Sequence, residues 1–187
     1  NFNYEGISAK DILKNDSILV ELFKSEILNN QNLNVNIDLN VNNITNIDYL
    51  NNLRLKLNLD QGNITFSKSR IMWKDDLEIN LKEGLLSYDQ NEISLIGKLI
   101  IYANNIDNFY KSFQIKKIHR KKMNTLELDF VYNFNKNKFI FDNVKIDNKS
   151  NVKLNKFLDN FNSTDKKFFN KIVFKNFIND FFSSYTG

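Results

Sequence analysis

The chain's only imidazole is His119, which stands inside the basic run Lys116-Lys117-Ile118-His119-Arg120-Lys121-Lys122. An imidazole can act as a general base or bind a metal, but both roles need partners. The chain has neither a second His nor any Cys, so it offers no zinc set, no thiolate nucleophile and no disulfide framework. The other candidates for acid/base work are the adjacent carboxylates Asp75 and Asp76 in Trp73-Lys74-Asp75-Asp76. Neighbours on a strand point to opposite faces, which makes them a poor catalytic pair, and the tetrapeptide reads better as a turn with Trp73 packed at its edge. No Gly-rich loop is present to cradle phosphate. The residues therefore argue against an enzyme, and no metal or cofactor is expected.

The cations Lys116, Lys117, Arg120, Lys121 and Lys122 have two readings. They either follow the C-terminus of a helix, offsetting its dipole in solvent, or they meet anionic lipid headgroups. Nucleic acid is disfavoured, since net charge is only +4, from 26 Lys+Arg against 22 Asp+Glu, and Arg is scarce.

What positions these residues is a set of alternating strands. Leu33, Val35, Ile37, Leu39 and Val41 alternate with Asn34, Asn36, Asp38, Asn40 and Asn42, a period of two that gives one dry and one wet face. The same alternation places Leu53, Leu55, Leu57 and Leu59, then Ile64 and Phe66 after Gln61-Gly62, then Leu77, Ile79 and Leu81, on dry faces. Ile93, Leu95, Leu99 and Ile101 follow, interrupted by Gly97, where a bulge or close approach is expected. Leu126, Leu128, Phe130, Tyr132 and Phe134 continue the pattern with Val131 as an apolar exception on the wet side, and the series shifts phase at Asp142-Asn143 before Val144 and Ile146.

Helical spacing flanks and interrupts the strands. Ser8 with Asp11 suggests an N-terminal cap ahead of Leu19, Leu22, Phe23 and Ile27, while Ile106, Phe109, Tyr110 and Phe113 mark a middle helix. Leu154, Phe157, Leu158 and Phe161 mark another, and Ser163 or Asp165 could cap a last one. That last helix carries Phe174, Phe177, Ile178, Phe181 and Tyr185 on one side and Phe168, Phe169, Ile172 and Val173 on the other. It calls for burial between sheet and helix, or for contact with lipid or with chain outside this segment.

The expected fold is α+β and mainly β: a curved antiparallel meander with one apolar face, flanked by N-terminal, middle and C-terminal helices. Its expected boundaries are a helical entry at 8–28, sheet at 32–103, a middle helix at 105–118, sheet at 125–147 and C-terminal helices at 151–185, all in one domain. The chain has 187 residues, enough for a core, with five Gly, no Pro and about one residue in five Asn, a bias expected of an AT-rich genome. It begins at Asn1 and holds no run of 18 or more apolar residues, so any anchor or signal is expected upstream.

With these elements in place, almost the whole chain resembles the C-terminal region of the AsmA-like proteins, inner-membrane-anchored periplasmic proteins of Gram-negative bacteria. The resemblance rests on "YEGISAKDIL", "NLNVNIDLNV", "NLRLKLNLDQGNITFS", "IMWKDDLEINLKEGLLSYDQNEISLIGKLII", "SFQIKKIHRKK", "LELDFVYNF", "FDNVKIDNKS" and "FKNFINDFFSSYTG". It implies a long curved sheet whose concave apolar face forms a groove between inner and outer membranes, acting in phospholipid movement and outer-membrane assembly. It also implies a periplasmic location, an inner-membrane anchor outside this chain, and as partners phospholipid or another membrane lipid, the upstream remainder of the chain and envelope proteins. Leu33, Val35, Ile37, Leu39, Leu53, Leu55, Leu57, Leu59, Ile64, Phe66, Leu77, Ile79, Leu81, Leu126, Leu128 and Phe130 are the lipid-facing candidates. The five cations of the 116–122 run are the headgroup candidates. Two other readings stand beside this one: a lipid-free scaffold that pairs through a sheet edge, and a closed barrel holding one small ligand.

Overall fold

A computed structural model describes residues 2–8, 32–45, 49–89, 92–164, 168 and 170–186, with backbone alone for 2–8, Thr45 and Tyr88. Among the described residues ten strands form one sheet: β1 (Phe2–Ser8), β2 (Asn34–Thr45), β3 (Leu50–Asp60), β4 (Asn63–Phe66), β5 (Ser69–Trp73), β6 (Leu77–Asp89), β7 (Glu92–Ala103), β8 (Thr125–Asn133), β9 (Lys138–Ile146) and β10 (Lys149–Ser150). Among the described residues three α-helices accompany them, α1 (Ile106–Ser112), α2 (Val152–Asn162) and α3 (Lys171–Thr186). The mainly antiparallel α+β architecture matches the alternation in the sequence.

Strand order follows chain order, with β4 and β5 sharing the place between β3 and β6. The two are one strand broken at Ser67-Lys68, where Lys68 takes φ 53°. One departure from a pure meander is β1, which joins β2 in parallel, Phe2 opposite Leu39 and Ser8 opposite Thr45. Ser8 thus ends a strand, and the remainder of the expected 8–28 helix lies outside the described residues.

Bulges set the phase of the dry face. Asn52 in β3, Glu83 in β6 and Asn143 in β9 all have positive φ and sit where pairing slips by one residue. Each extra residue returns apolar side chains to the same face, and it sharpens the local twist. The phase change at Asp142-Asn143 is one of these. Gly97, by contrast, marks a close approach, and the bulge lies on the neighbouring strand at Glu83. A Cβ at Gly97 would come within 2.8 Å of Leu81 Cδ1, and one at Gly84 within 2.8 Å of Phe66 Cβ.

Cross-strand pairing makes the dry face continuous. Val35, Leu59, Ile64, Leu86, Leu95, Tyr132 and Phe139 stand opposite one another in a single row from β2 to β9. The helices cover its second half. Trp73 stacks on Tyr49 at 4.2 Å between ring centroids and meets Phe109, Phe113 and Phe174. Further along, Phe141 meets Phe168 and Phe177, and Phe177 meets Phe161 at 4.6 Å. Each such pair adds about 0.5–1.5 kcal/mol beyond its area burial. The stripe Phe174, Phe177, Ile178, Phe181 and Tyr185 on α3 faces this core; of the residues expected on the other side, Phe168 precedes the helix and packs into the same core, Phe169 lies outside the described residues, Val173 is half-buried and Ile172 is exposed.

Asn side chains finish the elements. Asn105, Asn151 and Asn170 each accept backbone N–H bonds at the start of α1, α2 and α3. Asn170 therefore caps the last helix, in place of Ser163, which ends α2, or Asp165, which lies outside the described residues. From α2, Asn155 accepts the Val144 N–H, while Asn162 accepts the Phe141 N–H and donates to its carbonyl at 2.7 Å. These amides take the place of a further strand along β9. The middle helix stops at Ser112, six residues short of expectation, because Gln114 adopts φ 57° and the Ile115 and Gln114 N–H groups bond back to Tyr110 and Lys111.

Two stability tests follow from this geometry. Asn162→Ala orphans both polar groups of Phe141 and should lower unfolding free energy by about 1–3 kcal/mol in urea denaturation. Gly84→Ala should destabilise by about 1–3 kcal/mol, because its Cβ would meet the Phe66 Cβ at 2.8 Å, whereas Glu83→Gly, which removes a left-handed non-Gly residue, should not destabilise.

Candidate functional site

The sixteen apolar candidates divide between two environments. Leu77, Leu126, Leu128 and Phe130 are buried in the core under the helices, with Ile79 and Leu81 packed against it. A ligand could reach the four buried ones only by displacing the aromatic layer, so those four do not line an open groove, while Ile79 and Leu81 are half-buried. Sequence alternation could not separate them, because it reports which face a residue takes and not what covers that face.

The remaining candidates belong to β2, β3 and β4, except Leu33 just ahead of β2, and lie apart from that core. Opposed pairs build the surface: Val35 with Leu59, Ile37 with Leu57, Leu39 with Leu55, and Leu57 in turn with Phe66. Leu59 and Ile64 are buried, Leu33, Val35, Leu39, Leu53, Leu55, Leu57 and Phe66 are half-buried, and Ile37 is 38% exposed. At the boundary with the closed half, Gly84 and Gly97 lie side by side without side chains, and Leu81 and Phe66 close over them. The result is an apolar surface of branched side chains, with no directional polar group among these candidates.

On the opposite face of β2 and β3, Asp38 accepts from Arg54 at 3.1 Å and pairs with Lys56 at 3.5 Å. The Arg54 hydrogen bond is the main reason that the Asp38 carboxyl is held below its ordinary range. Polar cross-strand pairs of this kind keep the wet face of β2–β3 in water and its register fixed. The wet face is not uniformly polar farther along. Leu85, Ile96, Val131 and Ile140 stand in one cross-strand row from β6 to β9, three of them exposed. Val131 was the sequence signal for this row.

The basic run departs in detail from the place expected for it at the end of the middle helix. It does not continue α1. After the Gln114 turn, Lys117–His119 form one 3₁₀ turn that lies against α3, and the chain then runs extended into β8. His119 Nδ1 lies 2.6 Å from Thr186 Oγ1, Arg120 Nε donates to the Ile115 carbonyl, and the Tyr110 hydroxyl donates to the Lys121 carbonyl at 2.6 Å. Burial pushes the Tyr110 phenol well above its ordinary range, keeping it a neutral donor. His119 thus ties this turn to the end of α3.

Asp75 and Asp76 form the expected turn, with Trp73 inside the core. Together with Lys74, Asn105, Asn108, Lys111 and Ser112 they line an open polar cleft of ≈ 440 Å³. Its mixed charge suits water better than an acyl chain. Among the described residues no group of His, Asp and Glu is placed to hold a metal, and no helix is long and apolar enough to cross a membrane. Compared with known proteins, the chain matches no family model, no curated protein and no solved structure.

Asp147 secures the far end of the basic segment. Its carboxylate accepts the Thr125 N–H at 2.8 Å and the Asn124 N–H at 3.0 Å, and these bonds, that of Thr125 first, lower its pKa. A carboxyl lowered on folding stabilises the fold above its unfolded pKa of about 3.9 and loses that contribution as pH falls through the folded value. Asp147→Asn, which keeps the acceptor oxygen without the charge, should therefore lose less stability than the parent between about pH 5 and pH 2 in thermal unfolding.

Proposed function

We propose that this chain is a non-enzymatic module that shelters lipid acyl chains on the apolar face of β2, β3 and β4. The observation that carries the reading is the division of one continuous dry face into a helix-covered half and a half-buried half of paired Leu, Ile, Val and Phe. Removing an acyl chain from water recovers about 25 cal/mol per Å² of apolar area and needs no directional bond. A surface without polar groups can therefore hold a lipid and let it slide.

The resemblance to AsmA-like C-terminal regions supplies the setting we propose: a periplasmic module, anchored to the inner membrane by chain outside this segment, in phospholipid transport and outer-membrane assembly. The lipid-free scaffold is the competing reading. Its support is the open path of the sheet, since among the described residues β1 pairs only with β2. Among the described residues the same path begins at β1 and ends at β10 with no pair joining them, which favours an open sheet over a closed barrel.

Mass spectrometry of an organic extract of the purified protein distinguishes the two. Lipid binding requires co-purified phospholipid that falls at least about tenfold in Ile37→Asp or Leu57→Asp, since a charge on an apolar surface costs more than the ~1.4 kcal/mol this ratio represents. Circular dichroism must show that the variants remain folded. A clean extract from folded parent protein rejects acyl-chain binding and favours the scaffold.

A further inference from the structure

The 116–122 segment has a property that neither its fold role nor the dry sheet face accounts for. Ile118 is 78% exposed at the tip of the 3₁₀ turn, with Lys116 and Lys117 before it and Lys121 and Lys122 after it, all exposed. No carboxylate ion-pairs with any of the segment's five cations among the described residues, whereas Arg54, Lys56, Lys98 and Lys136 elsewhere do have acidic partners. The segment is also held in shape. His119 is tied to Thr186, Arg120 to the Ile115 carbonyl, Lys121 through its own carbonyl to Tyr110, and the Lys121 ammonium lies 5.3 Å from the centre of the Tyr185 ring. These ties hold the backbone while leaving the Ile118 side chain and the Lys116, Lys117 and Lys122 ammonium groups in solvent.

We infer that this segment docks the protein on an anionic lipid bilayer, the lysines meeting phosphate headgroups and Ile118 entering the acyl boundary. Charge complementarity selects the partner, because clustered cations that form no ion pair are drawn to a negative membrane surface. The exposed Ile118 separates a bilayer from other polyanions: a headgroup layer has hydrocarbon directly beneath it, whereas a nucleic acid phosphate backbone offers an isolated Ile no apolar environment. One apolar insertion combined with a basic cluster supplies two signals, hydrocarbon burial and charge attraction, which together hold a peripheral protein at a membrane more firmly than either alone. A preformed turn avoids the ordering cost that a flexible basic tail would meet on binding. Docking is independent of whether the β2–β4 face holds an acyl chain.

Sedimentation with vesicles of phosphatidylcholine, with or without about a third phosphatidylglycerol, tests the inference. The parent protein should bind anionic vesicles at least roughly tenfold more tightly than neutral ones, and less tightly as salt rises. The double variant Lys116→Glu, Lys117→Glu should abolish that preference. Ile118→Ser, which keeps every charge, should weaken binding several-fold, and thermal unfolding should show both variants as stable as the parent. Equal binding to both vesicles overturns the inference, as does an Ile118→Ser variant that binds like the parent. Competition by duplex DNA as effective as that by anionic vesicles would also overturn it and identify a nucleic acid surface instead. Vesicle binding by protein whose organic extract is clean leaves docking standing while rejecting acyl-chain binding.

Discussion

Everything in this fold answers to the need to keep one uninterrupted apolar sheet face out of water. The face crosses from β2 to β9 in paired rows, and an area of that size would drive aggregation if left bare. Over β5–β9 the answer is a layer of aromatic rings brought largely by α1, α2 and α3. Their sequences are not strongly helical by propensity, with several Asn and β-branched residues, so the packing of Phe109, Phe113, Phe177 and Phe181 on the sheet is what stabilises them. Over β2–β4 a different solution operates, and half-buried Leu and Val pairs remain apart from that core. The proposed lipid site is the part of the face that the aromatic layer does not reach.

A second constraint concerns backbone polar groups. Every helix start and sheet edge leaves donors and acceptors without partners, and burying them unpaired costs about 1–3 kcal/mol each. This chain meets the requirement with Asn. Its carboxamide resembles a peptide group, so Asn162 can satisfy Phe141 as a neighbouring strand would, and Asn155 and Asn135 do the same for the N–H groups of Val144 and Ile93. Asn52, Asn137, Asn143 and Asn148 occupy left-handed positions that glycine usually takes. A residue supplied by compositional bias has been placed at many of the sites where its chemistry is needed.

The period-two alternation made the strands and the wet and dry faces legible in the sequence, and the odd-to-even change at Asp142-Asn143 even exposed a bulge. Helix ends were less legible. Left-handed Gln114 stops α1 without the glycine that normally announces such a stop, and Asn170 caps α3 where Ser163 and Asp165 stood as more familiar signals. The site was legible by face but not by cover: Leu57 and Leu128 are equivalent in pattern, yet one is half-buried and the other sealed under rings. That difference depends on where helices from distant parts of the chain dock. The shape of the basic run was likewise hidden, since its ties to Thr186 and Tyr110 are tertiary.

The contrast between Leu57 and Leu128 is also the most direct measure of the functional proposal. A photoreactive benzophenone amino acid placed at one position or the other, irradiated in the presence of phospholipid and followed by mass spectrometry of the protein, reports which part of the dry face meets acyl chains. The expected result is a lipid adduct at position 57 and none at 128. No adduct at position 57 in folded protein, or equal adducts at both positions, would contradict the division of the face into a sealed core and a lipid-accepting surface.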